Sequence, residues 1–240
     1  MGRVAIVTGG TRGIGEAISI ALKEAGNTVA AVYAGNDVKA KEFSDATGIQ
    51  TYKFDVSNFE QCQEGVAKIV SDLGPIEILV NNAGITRDAT LHKMTPDQWA
   101  VVIQTDLTSC FNMCRVTIES MRERSFGRII NISSMNGELG GFGQANYSAA
   151  KAGMIGFSKA VAREDAGKGI TVNVITPGFV ATEMVETIPE KVINSIVSNI
   201  PVKRLGQPSE IARGVVFLSS DDAGYITGCT LDINGGMYMT

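Results

Sequence analysis

Short apolar runs alternate with amphipathic stretches along the whole chain. Arg3–Thr8, Thr28–Tyr33, Gln50–Phe54, Ile76–Val80, Arg128–Ile132, Thr171–Thr176 and a last run near Cys229–Ile233 are short and mostly apolar, and they read as strands. Between them lie stretches with helical spacing: Glu16–Ala25, Asn58–Leu73, a long one from Pro96 to about Arg124, an alanine-rich one that carries Tyr147 and Lys151, and Ser209–Ser219. Thr95 stands as the cap of the long stretch and Pro96 at its first helical position. Strands and helices alternating at this length predict a parallel, seven-stranded sheet with helices on both faces, a doubly wound α/β domain spanning residues 1–240. Phe179–Asn199 shows no clear strand and only small helical patterns, and is expected to form a mobile cover over a site.

Composition fits this picture and narrows the function. The 240 residues are 44% hydrophobic and include 27 glycines but six prolines, which suits many strand-to-helix turns within one domain. No linker, internal repeat or low-complexity segment divides them. A formal net charge of −4 lacks the basic footprint of a nucleic-acid binder. No apolar run approaches the roughly 20 residues of a membrane span. The N-terminus enters a strand at once with no signal-peptide pattern, and Ile6 speaks against myristoylation at Met1-Gly2, so a cytoplasmic enzyme is expected. Cys62, Cys110, Cys114 and Cys229 have neither zinc spacing nor a histidine cluster, His92 being the single histidine; buried free thiols and no metal are expected.

Two stretches carry candidate chemistry. Gly9-Gly10-Thr11-Arg12-Gly13-Ile14-Gly15 follows the first strand and opens the first helix. Glycines allow a tight turn and close backbone approach, and a helix N-terminus offers amides and a positive dipole end to a pyrophosphate, as in Rossmann-type domains. A purely structural turn is the plainer alternative. The second strand ends Tyr33-Ala34-Gly35-Asn36, without the acidic residue that would bind a ribose 2′-hydroxyl until Asp37, whereas Arg12 and Lys39 could pair with a 2′-phosphate. NADPH is favoured, with NADH possible. Asp55-Val56 ends the third strand where it could cap an adenine. The second stretch, Gly127–Lys159, places Ser134 at a strand end and Tyr147 and Lys151 one helical turn apart. A hydroxyl, a phenol and an ammonium form a proton-donating set suited to carbonyl reduction. Taken alone, Tyr-x-x-x-Lys is more often a pair of surface residues.

The strings TGGTRGIG, NNAG, NISS, YSAAK and PGFVATEM, in this order and spacing, resemble the short-chain dehydrogenase/reductase family over essentially the whole chain. The resemblance implies catalytic roles for Ser134, Tyr147 and Lys151. It implies cofactor contacts at Gly9, Thr11, Arg12, Gly13, Ile14, Gly15, Asp55, Val56, Asn82, Ala83, Gly84, Pro177, Gly178 and Thr182, as well as at Tyr147 and Lys151. NNAGITRD, HKMTPDQW, FGQANYSAAKAG and IPVKRLG further resemble the members that reduce 3-ketoacyl thioesters, and they put Asp88, Gln144 and Phe179 near the substrate. NADPH-dependent reduction of acetoacetyl-CoA to (R)-3-hydroxybutyryl-CoA, for polyhydroxyalkanoate synthesis, is the implied reaction, with a carrier-protein thioester as the alternative substrate. Arg122, Arg124 and Arg128 could form a docking surface for such a carrier, and Lys203-Arg204 could meet a CoA phosphate. A non-catalytic NADP-binding protein on the same fold is the alternative from another class.

Two positions depart from the family pattern. Asp106, in Thr105-Asp106-Leu107-Thr108-Ser109, stands where the family commonly has an Asn that distorts the helix so that its carbonyl holds a relay water to the lysine. Asp106 keeps the acceptors but loses the amide donor, and a carboxylate there would favour the Lys151 ammonium and change the pH profile. Gly141 and Phe179 stand where close relatives often have a glutamine and a tyrosine. The family also implies a homotetramer, and Trp99, Val102, Ile103, Leu107, Phe111, Ile155, Phe157 and Val161 put extra apolar surface on the two long helices.

Overall fold

The computed structural model describes residues 2–183 and 189–239. Seven parallel strands form one sheet in the order β3-β2-β1-β4-β5-β6-β7: β1 Val4–Thr8, β2 Thr28–Tyr33, β3 Gln50–Lys53, β4 Ile76–Asn81, β5 Gly127–Ile132, β6 Ile170–Pro177 and β7 Thr230–Ile233. The expected doubly wound α/β architecture is present. Alternate residues of a strand serve opposite faces. In β1, Val4 and Ile6 join a core with Cys62, Val66 and Ile69 of helix α3 (Phe59–Leu73), whereas Ala5 and Val7 join a second core with Ile18 and Leu22 of helix α1 (Gly13–Glu24). The helix over Pro208–Ser219 adds Ile211 and Val215 to that second core. Burial on both faces explains why the central strands β1 and β4 are almost continuously apolar, whereas the edge strands β3 and β7 are more polar and partly exposed.

Strand order reverses between β1 and β4, and ligands of such sheets bind beyond the carboxyl ends of the strands at that crevice. One helix, α2 (Asp37–Thr47), escapes the hydrophobic reading because it buries only Ala40 and Phe43. The long helix beginning at Pro96 is interrupted: α4 (Pro96–Val102) passes into a π-helical turn, Ile103–Thr108, before α5 (Ser109–Arg124). A short helix, α6 (Asn136–Leu139), lies within the glycine-rich loop before α7 (Ala145–Asp165). The expected cover over Phe179–Asn199 falls in part on residues 184–188, outside the described residues; its later part is a helix over Glu190–Asn199. All four cysteines are free, but only Cys62, Cys110 and Cys114 are buried; Cys229 is half-buried just ahead of the edge strand β7.

Candidate active site

The turn between β1 and α1 is shaped by residues that no larger side chain could replace. Gly9 and Gly13 hold φ of 62° and 55°, where a Cβ is strained. A Cβ on Gly15 would lie 2.0 Å from the Gly9 carbonyl oxygen, so the helix start presses directly on the turn. Thr8 ties the turn to the end of β4: its hydroxyl accepts from the Asn82 and Ala83 amides at 2.9 and 3.0 Å, and the Asn82 side chain donates back to the Thr8 carbonyl at 3.0 Å. These contacts leave the first amides of α1 open, which fits a pyrophosphate.

Above the turn lies a cavity of about 310 Å³. Gly9, Arg12, Gly13, Ile14 and Gly15 line one side, and Asn82, Ala83 and Gly84 the next. Ser134, Tyr147 and Lys151 line the same cavity, as do Pro177, Gly178 and Thr182, the last beside the glycine turn, where a Cβ on Gly13 would lie 3.7 Å from it. Most of the expected cofactor residues therefore share one space with the expected catalytic ones. Ile85, Thr86, Ile132, Ser133 and Glu183 also line it without having been singled out. Ile85 and Thr86 continue the NNAG string, which was the available signal. Thr11 is buried and Asp55 and Val56 stand outside the lining. The Asp55 carboxylate accepts from the Ser57 amide, and the Val56 carbonyl accepts from Asn112.

Each proton-handling side chain has a physical anchor. Ser134 follows β5, and its hydroxyl accepts from the Asn136 amide at 3.1 Å. Tyr147 is held at the start of α7 by its neighbour Asn146, which is fully buried and donates to the carbonyls of Arg87 and Gln98. Lys151 is 3% exposed; its ammonium donates to the Ile132 carbonyl at 3.0 Å and sits 5.5 Å from the Tyr147 ring centre. A cation this close to the ring stabilises negative charge on it. Asp106 lies on the π-helical turn behind Gly84. Its Oδ1 accepts from the Ile85 amide at 2.8 Å, and its Oδ2 lies 3.5 Å from Lys151 Nζ. The expected helix distortion is thus present with Asp at the position.

Asp88 and Gln144 come together outside the lining of the cavity. Gln144 donates to Asp88 at 2.9 Å and accepts from Asn136 at 2.8 Å. A Cβ on Gly141 would lie 2.5 Å from the Gln144 side-chain oxygen, so Gln144 occupies the room a larger residue at 141 would need. Phe179 is half-buried and lies outside the lining; its carbonyl accepts from the Gly206 amide at 2.9 Å.

The candidate carrier-docking arginines are corrected by their place in the fold. Arg122 and Arg124 end α5 and Arg128 begins β5, so they sit at the amino ends of the strands, across the sheet from the cavity. Arg122 pairs with Asp165 and Arg124 with Glu77, while Arg128 is buried, stacked on Phe126 and bonded to the Ser220 carbonyl. Arg204 is likewise engaged, with Glu210 at 2.7 Å through both terminal nitrogens. At the end of β2, Asp37 is held by Lys53 at 2.8 Å and accepts from Tyr33, contacts that keep its carboxyl below the usual range. Arg12 is exposed at the cavity edge, and Lys39 pairs with Glu183 at 3.5 Å.

A family described as enoyl-(acyl carrier protein) reductase matches residues 9–238. The chain is 65% identical to an acetoacetyl-CoA reductase of Shinella zoogloeoides and 62% identical to one of Rhizobium meliloti, each alignment covering 99% of both chains. It is 46% identical to a 3-oxoacyl-(acyl-carrier-protein) reductase of Haemophilus influenzae over 100% of this chain and 99% of that one. With the glycine turn, the serine, the tyrosine and the lysine gathered at one cavity, and with relatives matching from end to end, the chain belongs to the short-chain dehydrogenase/reductase family.

Proposed function

We propose that the chain reduces acetoacetyl-CoA to (R)-3-hydroxybutyryl-CoA with NADPH, supplying polyhydroxyalkanoate (polyhydroxybutyrate) synthesis. The observation that carries this reading is that Ser134, Tyr147 and Lys151 line the same cavity as the glycine turn. The full-length likeness to two acetoacetyl-CoA reductases supports the substrate. The residues fit a nicotinamide dinucleotide, because Gly15 leaves no room for a side chain and the open amides of α1 face the cavity. When bound, the cofactor supplies the hydride. Ser134 then holds the substrate oxygen, the Tyr147 hydroxyl gives its proton to that oxygen as negative charge develops, and the Lys151 ammonium stabilises the phenolate left behind. Asp88, Gln144 and Phe179 are assigned to the substrate side on the resemblance to reductases of 3-ketoacyl thioesters.

Preference for the 2′-phosphate rests on Arg12 at the cavity edge and on Asp37 being occupied by Lys53. Among the described residues no helix is long and apolar enough to cross a membrane, which is consistent with a cytoplasmic enzyme. We further propose a homotetramer, and a covering role for residues 179–199 within a single domain. Hydrogen exchange across that segment, slowed by cofactor plus substrate, is the expected sign of covering.

The test is NADPH oxidation by the purified protein with acetoacetyl-CoA and, in parallel, with the acetoacetyl carrier-protein thioester, each repeated with NADH. Faster turnover of the CoA ester with NADPH is expected. Faster turnover of the carrier thioester would move the chain to fatty-acid elongation, and NADPH binding without turnover of either would make it a binding protein. Tyr147→Phe should lower kcat by about 10²–10⁴-fold while leaving cofactor binding in place.

A further inference from the structure

Asp106 is 0% exposed, and its Oδ1 is satisfied by the Ile85 amide. Its Oδ2 has no hydrogen-bond partner; the contact with Lys151 at 3.5 Å is an ion pair, the ammonium's directed bond going to the Ile132 carbonyl. A protonated Oδ2 would need an acceptor, whereas what faces it is a cation. The carboxylate is thus held as an anion, and Gly84 leaves room for it: a Cβ there would lie 2.9 Å from Oδ2 and 3.3 Å from Lys151 Nζ. Burial pushes the Asp106 carboxyl upward, opposed by Lys151 and the Ile85 amide. Other titratable groups near the pair are Tyr147, on α7 with Lys151, and Cys110 on α5, whose thiol in turn meets Cys114. The Cys110 thiol is pushed well up by its bond with Cys114 and by burial, so it adds no charge. Two charges thus stand near Tyr147: the Lys151 ammonium, 5.5 Å from its ring centre, and the carboxylate paired with that ammonium at 3.5 Å.

We infer that Asp106 is a positioning residue whose buried carboxylate offsets the field of Lys151 at Tyr147, keeping the phenol protonated to higher pH and so extending the alkaline range of reduction. An ammonium alone beside the ring favours phenolate, which cannot donate a proton. A counter-charge paired with that ammonium restores the donor form without moving Lys151 off the Ile132 carbonyl. The inference deepens the proposed reduction and rests on it for its catalytic meaning, but the ionisation of the phenol can be read without any substrate.

Asp106→Asn keeps the shape and the acceptor for Ile85 while removing the charge. Tyrosinate absorbance would be followed against pH in the wild-type chain and in Asp106→Asn, each subtracted by its Tyr147→Phe counterpart so that the four other tyrosines cancel. The Tyr147 ionisation is expected to move down by about one pH unit in Asp106→Asn, and the alkaline limb of kcat/KM for NADPH-dependent reduction to move down with it. Coincident titrations would overturn the inference, as would a shift to higher pH. Where Asp106→Asn proves too unstable, Asp106→Ser carries the same expectation. Failure of the wild-type chain to reduce acetoacetyl-CoA would sink the proposed function and leave the phenol titration to decide this point separately.

Discussion

At Gly15 a single methyl group decides whether the site exists. The Cβ of an alanine there would meet the Gly9 carbonyl oxygen at 2.0 Å and the Asn82 side chain at 2.6 Å, and the first is backbone that cannot turn aside. Gly15→Ala is therefore expected to lower Tm by roughly 5–10 °C and to abolish NADPH binding, read by thermal unfolding and by cofactor fluorescence. Residues of this kind were legible in the chain because glycine spacing after a strand has a steric meaning. Ser134, Tyr147 and Lys151 were legible because four-residue spacing puts two side chains on one helical face. The environment of Asp106 was less so. Side-chain periodicity does not register a backbone that widens into a π-helical turn, nor the burial that leaves one carboxylate oxygen facing an ammonium.

Elements behind the cavity are joined by a pair of carboxyl groups. Glu138 on α6 lies against Asp232 on β7, and the Thr176 hydroxyl on β6 donates to Asp232 just before Pro177 and Gly178 enter the cavity wall. Burial first, and then Asp232, push the Glu138 carboxyl up to about 7. The folded chain thus holds this proton more tightly than the unfolded one does. Its stabilising effect is complete below the ordinary glutamate range near 4.5, declines as pH rises towards 7, and is gone above it. Glu138→Gln should flatten Tm between pH 5 and 8 and raise it by a few degrees at pH 8; a parallel fall in both proteins would refute the role of the Glu138 proton. At the opposite end of the sheet, Arg128 donates to the carbonyls of Ser220, Gly127 and Gly169. Arg128→Met removes a buried charge together with three bonds and is expected to cost about 3 kcal/mol in urea unfolding. Of the elements, the central strands read most clearly, since both of their faces are buried. Helix α2 did not, because a helix with two buried residues leaves almost no apolar stripe. Neither α6 nor the Glu138–Asp232 contact was legible, since they depend on a loop folding back onto the sheet edge.

For the molecule as a whole, the proposed tetramer predicts that a second subunit covers the face of α4 and α5. Of the eight apolar residues on α4, the π-helical turn, α5 and α7, Val102 and Val161 are buried, and Leu107 and Phe157 pack against the core, which takes four out of the account. Trp99 and Phe111 remain 42% and 50% exposed, side chains large enough to anchor an interface. The same segment carries the π-helical turn with Asp106, and Leu107 packs against α7 so closely that a Cβ on Gly153 would stand 2.8 Å from it. A subunit seated on this face would therefore brace both helices that hold the site. Phe111→Arg is expected to convert a tetramer to smaller species in size-exclusion chromatography with light scattering, and to lower kcat by several-fold through loosening of the Asp106–Lys151–Tyr147 alignment. Val38, 69% exposed on α2 and away from these helices, provides the contrast: Val38→Lys should change neither mass nor turnover. If Phe111→Arg leaves the mass at a tetramer, the covered face lies elsewhere. If it yields monomers with full kcat, the site is rigid within one chain, and the packing of Leu107 on Gly153 suffices to hold it.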